Sequence, residues 1–94
     1  MNAPNTAALA ALLASHPEEC AHALALLVTR TERGVSYNVA TREGLTASFE
    51  ALCIAGTAVR GMLCYWLAPD VDAAAIARQG AAVWLRERVG QPCE

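Results

Sequence analysis

The sequence predicts a mainly α-helical protein: one compact four-helix domain over residues 1–94, with a central buried helix over about 46–67 and a short extended segment over about 35–40. Two observations support this fold class. The apolar fraction is 55% and the charged fraction 17%, which suits a folded core and excludes a disordered chain. Outside one short segment, apolar residues recur at helical spacing between Pro and Gly residues that mark turns.

The first two helices are predicted on either side of Pro17. Helix 1 runs from about Thr6 to Ala14, and helix 2 from about Pro17 to Arg33. Proline is favoured in the first turn of a helix, and Gly34 is typical of the position just after a helix end. Leu26 lies off the main apolar stripe of helix 2, so we expect it to form part of a second contact surface.

The segment Val35–Ala40 is the only one that alternates apolar and polar residues as a strand does. A lone strand leaves its backbone groups unpaired. The segment is therefore a solvated strand, an irregular loop, or a strand that pairs with a second copy in a two-fold dimer. On the dimer hypothesis, Val35, Tyr37 and Val39 join Leu26 as interface residues.

The third helix is expected from about Thr46 to Leu67, and because it is apolar on all sides, we expect it to be buried. Pro69 ends it, Asp70 caps the next helix, and helix 4 continues from about Val71 to Val89. Folding these two helices into an antiparallel hairpin predicts bulky-to-small contacts. Trp84 then lies opposite Ala55 and Gly56, and Trp66 opposite Ala73.

Arg60 breaks the apolar stripe of the predicted third helix. A buried guanidinium needs a partner, so we expect Arg60 to reach solvent or to pair with Glu43, Glu50 or an acid of a second subunit. The alternative is that Arg60 anchors an anionic ligand or an acidic protein partner. In the small-molecule version, Tyr65 and Trp66 supply further polar and aromatic contacts of the pocket.

Several function classes lack the residues that they require. The chain has no Lys, which excludes a phosphate-binding P-loop and Schiff-base chemistry. No catalytic triad or metal-ligand spacing is present, so we expect no catalytic residue, no metal and no cofactor, and no enzyme. A net charge of −2 argues against nucleic acid. The longest apolar run contains Arg60, and no basic region precedes the N-terminal apolar run, so we expect a cytoplasmic protein without a membrane span.

These observations favour a non-catalytic protein–protein interaction module that forms a homodimer and has a regulatory or inhibitory role. The partner would be another protein or a second copy of the chain. The alternative is a helical protein that binds a small molecule or an anion in a pocket around Arg60. A bound metabolite or anion would distinguish the second hypothesis from the first.

Overall fold

The computed structural model describes residues 6–90. Over this range the chain is mainly helical and also forms a small sheet. The helices are α1 (Ala7–Ser15), α2 (Pro17–Thr29), α3 (Tyr37–Arg42), α4 (Thr46–Ile54), α5 (Ala73–Gln79) and α6 (Ala81–Gly90). The strands are β1 (Val35–Ser36), β2 (Ala58–Arg60) and β3 (Cys64–Leu67).

The three strands form an antiparallel sheet in the order β1-β3-β2. Strands β2 and β3 are consecutive in the chain and form a hairpin, in which Val59 lies opposite Trp66 and Arg60 opposite Tyr65. Strand β1 comes from more than twenty residues earlier and pairs with the other side of β3, where Val35 lies opposite Tyr65.

The hydrophobic core lies between the helices and one face of the sheet, which we call the inner face. Helix α2 packs against β3, and α4 packs against β2. The largest completely buried side chains come from α1, α2, α4, α5, α6 and the loops between them: Leu9, Leu24, Leu27, Leu45, Phe49, Leu52, Ile76 and Leu85. Because the helices cover the inner face, side chains of the opposite, outer face remain partly accessible to solvent.

The prediction of one buried helix over 46–67 is wrong. Helix α4 ends at Ile54, and Gly56 follows with φ at +80°. Two backbone bonds close this end: the Gly56 N–H donates to Cys53 at 3.1 Å, and the Thr57 N–H donates to Leu52 at 2.9 Å. This is the glycine-dependent helix end called the Schellman motif. The rest of the segment forms the β2–β3 hairpin.

The prediction of a fourth helix over 71–89 needs a related correction. Gly80, with φ at +93° and ψ at 137°, separates α5 from α6. The cap of α5 is Asp72 rather than Asp70, because the Asp72 carboxylate accepts from the Ala74 N–H at 3.0 Å. The helical-hairpin register from which the contacts of Trp84 and Trp66 were expected is also wrong, because strands β2 and β3 replace the second part of the first of its two helices. Trp84 instead packs at the edge of the core beneath Arg88.

The extended segment over 35–40 is shorter than expected. Only Val35 and Ser36 form a strand, and α3 begins at Tyr37. Ser36 causes the change, since its hydroxyl accepts from the Val39 N–H at 3.1 Å and so caps α3. Helix α2 likewise ends at Thr29 instead of Arg33. Among residues 6–90, no helix has both the length and the apolar character needed to cross a membrane.

Candidate functional site

The alternation of side chains along β3 separates the three residues expected to form a binding site. Tyr65 points to the inner face and is 3% exposed, whereas its neighbour Trp66 lies on the outer face and is half-buried. Arg60, opposite Tyr65, also belongs to the inner side, but its place in the edge strand leaves its side chain 57% exposed. The structure therefore brings Arg60 and Tyr65 together and places Trp66 elsewhere.

Glu50 on α4 joins Arg60 to Tyr65. One carboxylate oxygen of Glu50 forms a salt bridge with Arg60, and the other accepts a hydrogen bond from the Tyr65 hydroxyl at 2.6 Å. Glu50 was one of the acids expected for Arg60. The Tyr65 ring stacks on Phe49 with a centroid separation of 4.8 Å, and Tyr37 meets it edge-on at the same separation. These contacts fasten the hairpin to α4.

The charges of this cluster are mutually satisfied. Burial raises the pKa of Tyr65, and its hydrogen bond to Glu50 raises it further, so the phenol stays neutral. Glu50 also raises the pKa of Arg60, which keeps its full charge. Burial and the nearby Glu50 raise the pKa of Cys53, so its thiol remains protonated. A protonated thiol is a weak nucleophile. The arrangement is that of a structural cluster.

The outer face is built around Trp66. Its indole lies across two glycines, and a methyl group added at Gly61 would come within 2.8 Å of the Trp66 Nε1 atom. A methyl group at Gly34 would come within 3.0 Å of both Trp66 Cε2 and Cys64 Cβ. The indole can occupy this position only because Gly34 and Gly61 lack a side chain.

Large apolar side chains are exposed on the same hairpin as this indole. Met62 and Leu63, in the turn of the hairpin, are 92% and 73% exposed, and Val59, opposite Trp66, is 44% exposed. We refer to Val59, Met62, Leu63 and Trp66 as the hairpin surface. Sequence reasoning missed this surface because it assigned these residues to a buried helix. The signal that could have revealed it is Gly61, which interrupts two segments rich in β-branched and aromatic residues.

The residues expected at a dimer interface occupy different environments. Val35 is completely buried, and its backbone pairs with Tyr65 within the same chain. Pairing with a second copy is therefore not needed to give the backbone of this strand hydrogen-bond partners. Leu26, Tyr37 and Val39 are half-buried and pack against the core. The Tyr37 hydroxyl also donates to the Gly61 carbonyl, which fixes the turn of the hairpin to α3.

No group of three or more His, Cys, Asp or Glu side chains within residues 6–90 is arranged to hold a metal ion. Cys20 is buried, and that burial raises its pKa. Cys53 and Cys64 are half-buried free thiols, and Cys93 lies outside the described residues. Comparison of the chain with models of protein families, with curated proteins and with solved structures gave no match.

Proposed function

We propose that this protein is a non-catalytic protein–protein interaction module that binds through the hairpin surface. The observation that carries the proposal is the exposure of Met62 and Leu63 in the hairpin that also holds Val59 and Trp66. A single exposed apolar residue is ordinary in a folded protein. Several large ones at neighbouring positions are typical of a surface that another macromolecule covers.

The attachment of the hairpin to the core supports the same function. Tyr65 and Arg60 tie the strands to Glu50, and Tyr37 holds the Gly61 carbonyl at the turn. A surface that is already rigid loses less conformational entropy on binding than a mobile loop would. The hairpin that carries Met62 and Leu63 is therefore held in place before a partner binds, which favours docking.

A second copy of the chain is one candidate partner, and its binding would give the homodimer expected from the sequence. A regulatory or inhibitory role would then arise from covering a surface of the partner. The alternative of an anion site at Arg60 loses its main argument. The guanidinium was expected to be buried and to need a partner, whereas it is 57% exposed and paired with Glu50.

The test compares the Met62→Ser/Leu63→Ser double variant with Ile54→Ser. Ile54 is 51% exposed on α4, so its variant is the control for loss of an exposed apolar side chain outside the hairpin surface. Native mass spectrometry reports dimer formation, and selection from a displayed library of random peptides reports binding to other proteins. Both variants should keep their free energy of unfolding within about 0.5 kcal/mol of the wild type.

We expect the wild type to form a dimer or to enrich related peptides, and only the hairpin variant to lose that binding. Equal binding by the wild type and the hairpin variant would contradict the proposal. A wild-type protein that remains monomeric and enriches no peptide would contradict it as well.

A further inference from the structure

A polar depression adjoins the hairpin surface. It is lined by the loop between α2 and β1, residues 29–34. Gly34 lines this depression and also packs against the Trp66 indole. Its φ of +74°, together with a 2.7 Å bond from its N–H to the Arg30 carbonyl, turns the chain from the helix into the sheet. The depression and the apolar surface therefore meet at Gly34.

Positive charge predominates in the depression. Arg30 and Arg33 are both exposed, and neither forms a salt bridge within residues 6–90. Glu32 is the only acid lining it, so two positive charges stand against one negative charge. Arg60, the other arginine close to the hairpin, is already neutralised by Glu50. This local excess is opposite in sign to the net charge of −2 of the whole chain.

We infer that the partner is a protein segment that carries a carboxylate next to an apolar side chain. The apolar side chain would lie on Trp66 and Leu63, and the carboxylate would enter the depression between Arg30 and Arg33. Arginine is suited to this role because its planar guanidinium can bind a carboxylate through two parallel hydrogen bonds. The inference rests on the proposed function and specifies the chemistry of its partner.

Charge complementarity favours this partner over two others. A second copy that docked through the same face would bring its own Arg30 and Arg33 toward this pair, and like charges across an interface are unfavourable. An anionic membrane would attract the two arginines but repel a chain of net charge −2. A short acidic and apolar segment is opposite in charge to the depression, and it is small enough to bind there without contacting the rest of the protein surface.

The experiment selects peptides from the same random library with three proteins. They are the wild type, the Arg30→Glu/Arg33→Glu variant, and the Arg78→Glu/Arg86→Glu variant. Arg78 and Arg86 are exposed on α5 and α6 and do not line the depression, so the third protein carries the same change in net charge on other elements. The strongest wild-type peptide is then synthesised, and its affinity for each protein is measured at low and at high salt concentration.

We expect wild-type peptides to combine Asp or Glu with a large apolar residue. The synthetic peptide should bind the Arg30→Glu/Arg33→Glu variant at least about tenfold more weakly, and the control variant almost unchanged. Its affinity for the wild type should fall as salt screens the charges.

Peptides without acidic residues that still depend on Met62 and Leu63 would overturn this inference and leave the proposed function intact. Two other results would overturn the inference. One is a wild-type dimer that the Met62→Ser/Leu63→Ser variant no longer forms, and the other is binding to phosphatidylserine vesicles without enrichment of any peptide. Binding of neither peptide nor second copy would overturn both proposals.

Discussion

The Tyr65 hydroxyl donates a 2.6 Å hydrogen bond to Glu50, across fifteen residues of sequence. The same carboxylate holds Arg60, the cross-strand partner of Tyr65, so one acid of α4 binds both strands of the hairpin. This contact determines how the hairpin sits on the core, and with it the position of Met62 and Leu63. It is also the contact whose removal can be tested most directly.

Tyr65→Phe should lower the free energy of unfolding by about 1–2 kcal/mol, because it removes a hydrogen bond to a charged group while keeping the ring on Phe49. Urea denaturation measures the loss. In a Glu50→Ala background the same change should cost almost nothing, since the acceptor is already gone. Equal costs in both backgrounds would show that the hydrogen bond does not stabilise the fold.

Stability should decline at alkaline pH partly through Tyr65. Its pKa in the folded protein is raised above the ordinary value of 10.0. Below that value the phenol is protonated in both states, so its contribution is fully present. As the pH rises further, only the unfolded chain ionises, and the contribution is lost toward the higher pKa of the folded state.

The thiols of Cys20 and Cys53 also lower the stability of the fold at alkaline pH, because their pKa values are raised above the ordinary value of 9.0. The test is therefore the difference in free energy of unfolding between the wild type and Tyr65→Phe, measured by urea denaturation from about pH 8 to about pH 11. We expect the stability advantage of the wild type to shrink above pH 10. Parallel pH profiles would rule out the contribution of the phenol.

Gly34→Ala should be more destabilising than Gly44→Ala. Both glycines have a positive φ, +74° and +71°, so an alanine at either place strains the backbone by about 1–2 kcal/mol. The added methyl at Gly34 also meets Trp66 and Cys64 at 3.0 Å, whereas a methyl at Gly44 has no atom of the described residues within 4 Å. Overpacking should add about 1–3 kcal/mol at Gly34. Equal losses in urea denaturation would mean that the indole does not rest on this glycine.

Thr57→Val should stabilise the protein by about 1 kcal/mol. The Thr57 side chain is completely buried, and its hydroxyl has no hydrogen-bond partner among residues 6–90. Valine has nearly the same shape and removes the cost of burying an unpaired polar group. Thr57→Ser is the control, because it keeps the hydroxyl, loses a methyl group and should be destabilising. Thermal unfolding that places the valine variant below the wild type would contradict this account.

Local sequence signals predicted the helices near the N-terminus well. The expected helix from Thr6 to Ala14 corresponds to α1 (Ala7–Ser15), and Pro17 begins α2 as expected. The start of α4 at Thr46 was also correct. Proline in the first turn of α2 is a signal of this local kind, and it can be read without knowing what the segment later touches.

For the candidate site, the sequence named Glu50 among the acids with which Arg60 could pair. It could not show that Tyr65 and Trp66 face opposite ways, because that separation exists only if residues 64–67 form a strand. In a helix the same two side chains would lie about 100° apart, on adjoining parts of one surface. The hairpin surface was hidden for the same reason.

The sequence by itself determined a mainly helical chain with an apolar core, and it placed its turns at Pro and Gly residues. Only the tertiary structure decided that residues 58–67 form a hairpin. An apolar segment suits a buried helix and a buried strand equally well, and what separates them is the bonding partner. Strand β3 pairs on one side with β2, its neighbour in the chain, and on the other side with β1, where Val35 lies opposite Tyr65 from thirty residues away. No local pattern encodes that second pairing.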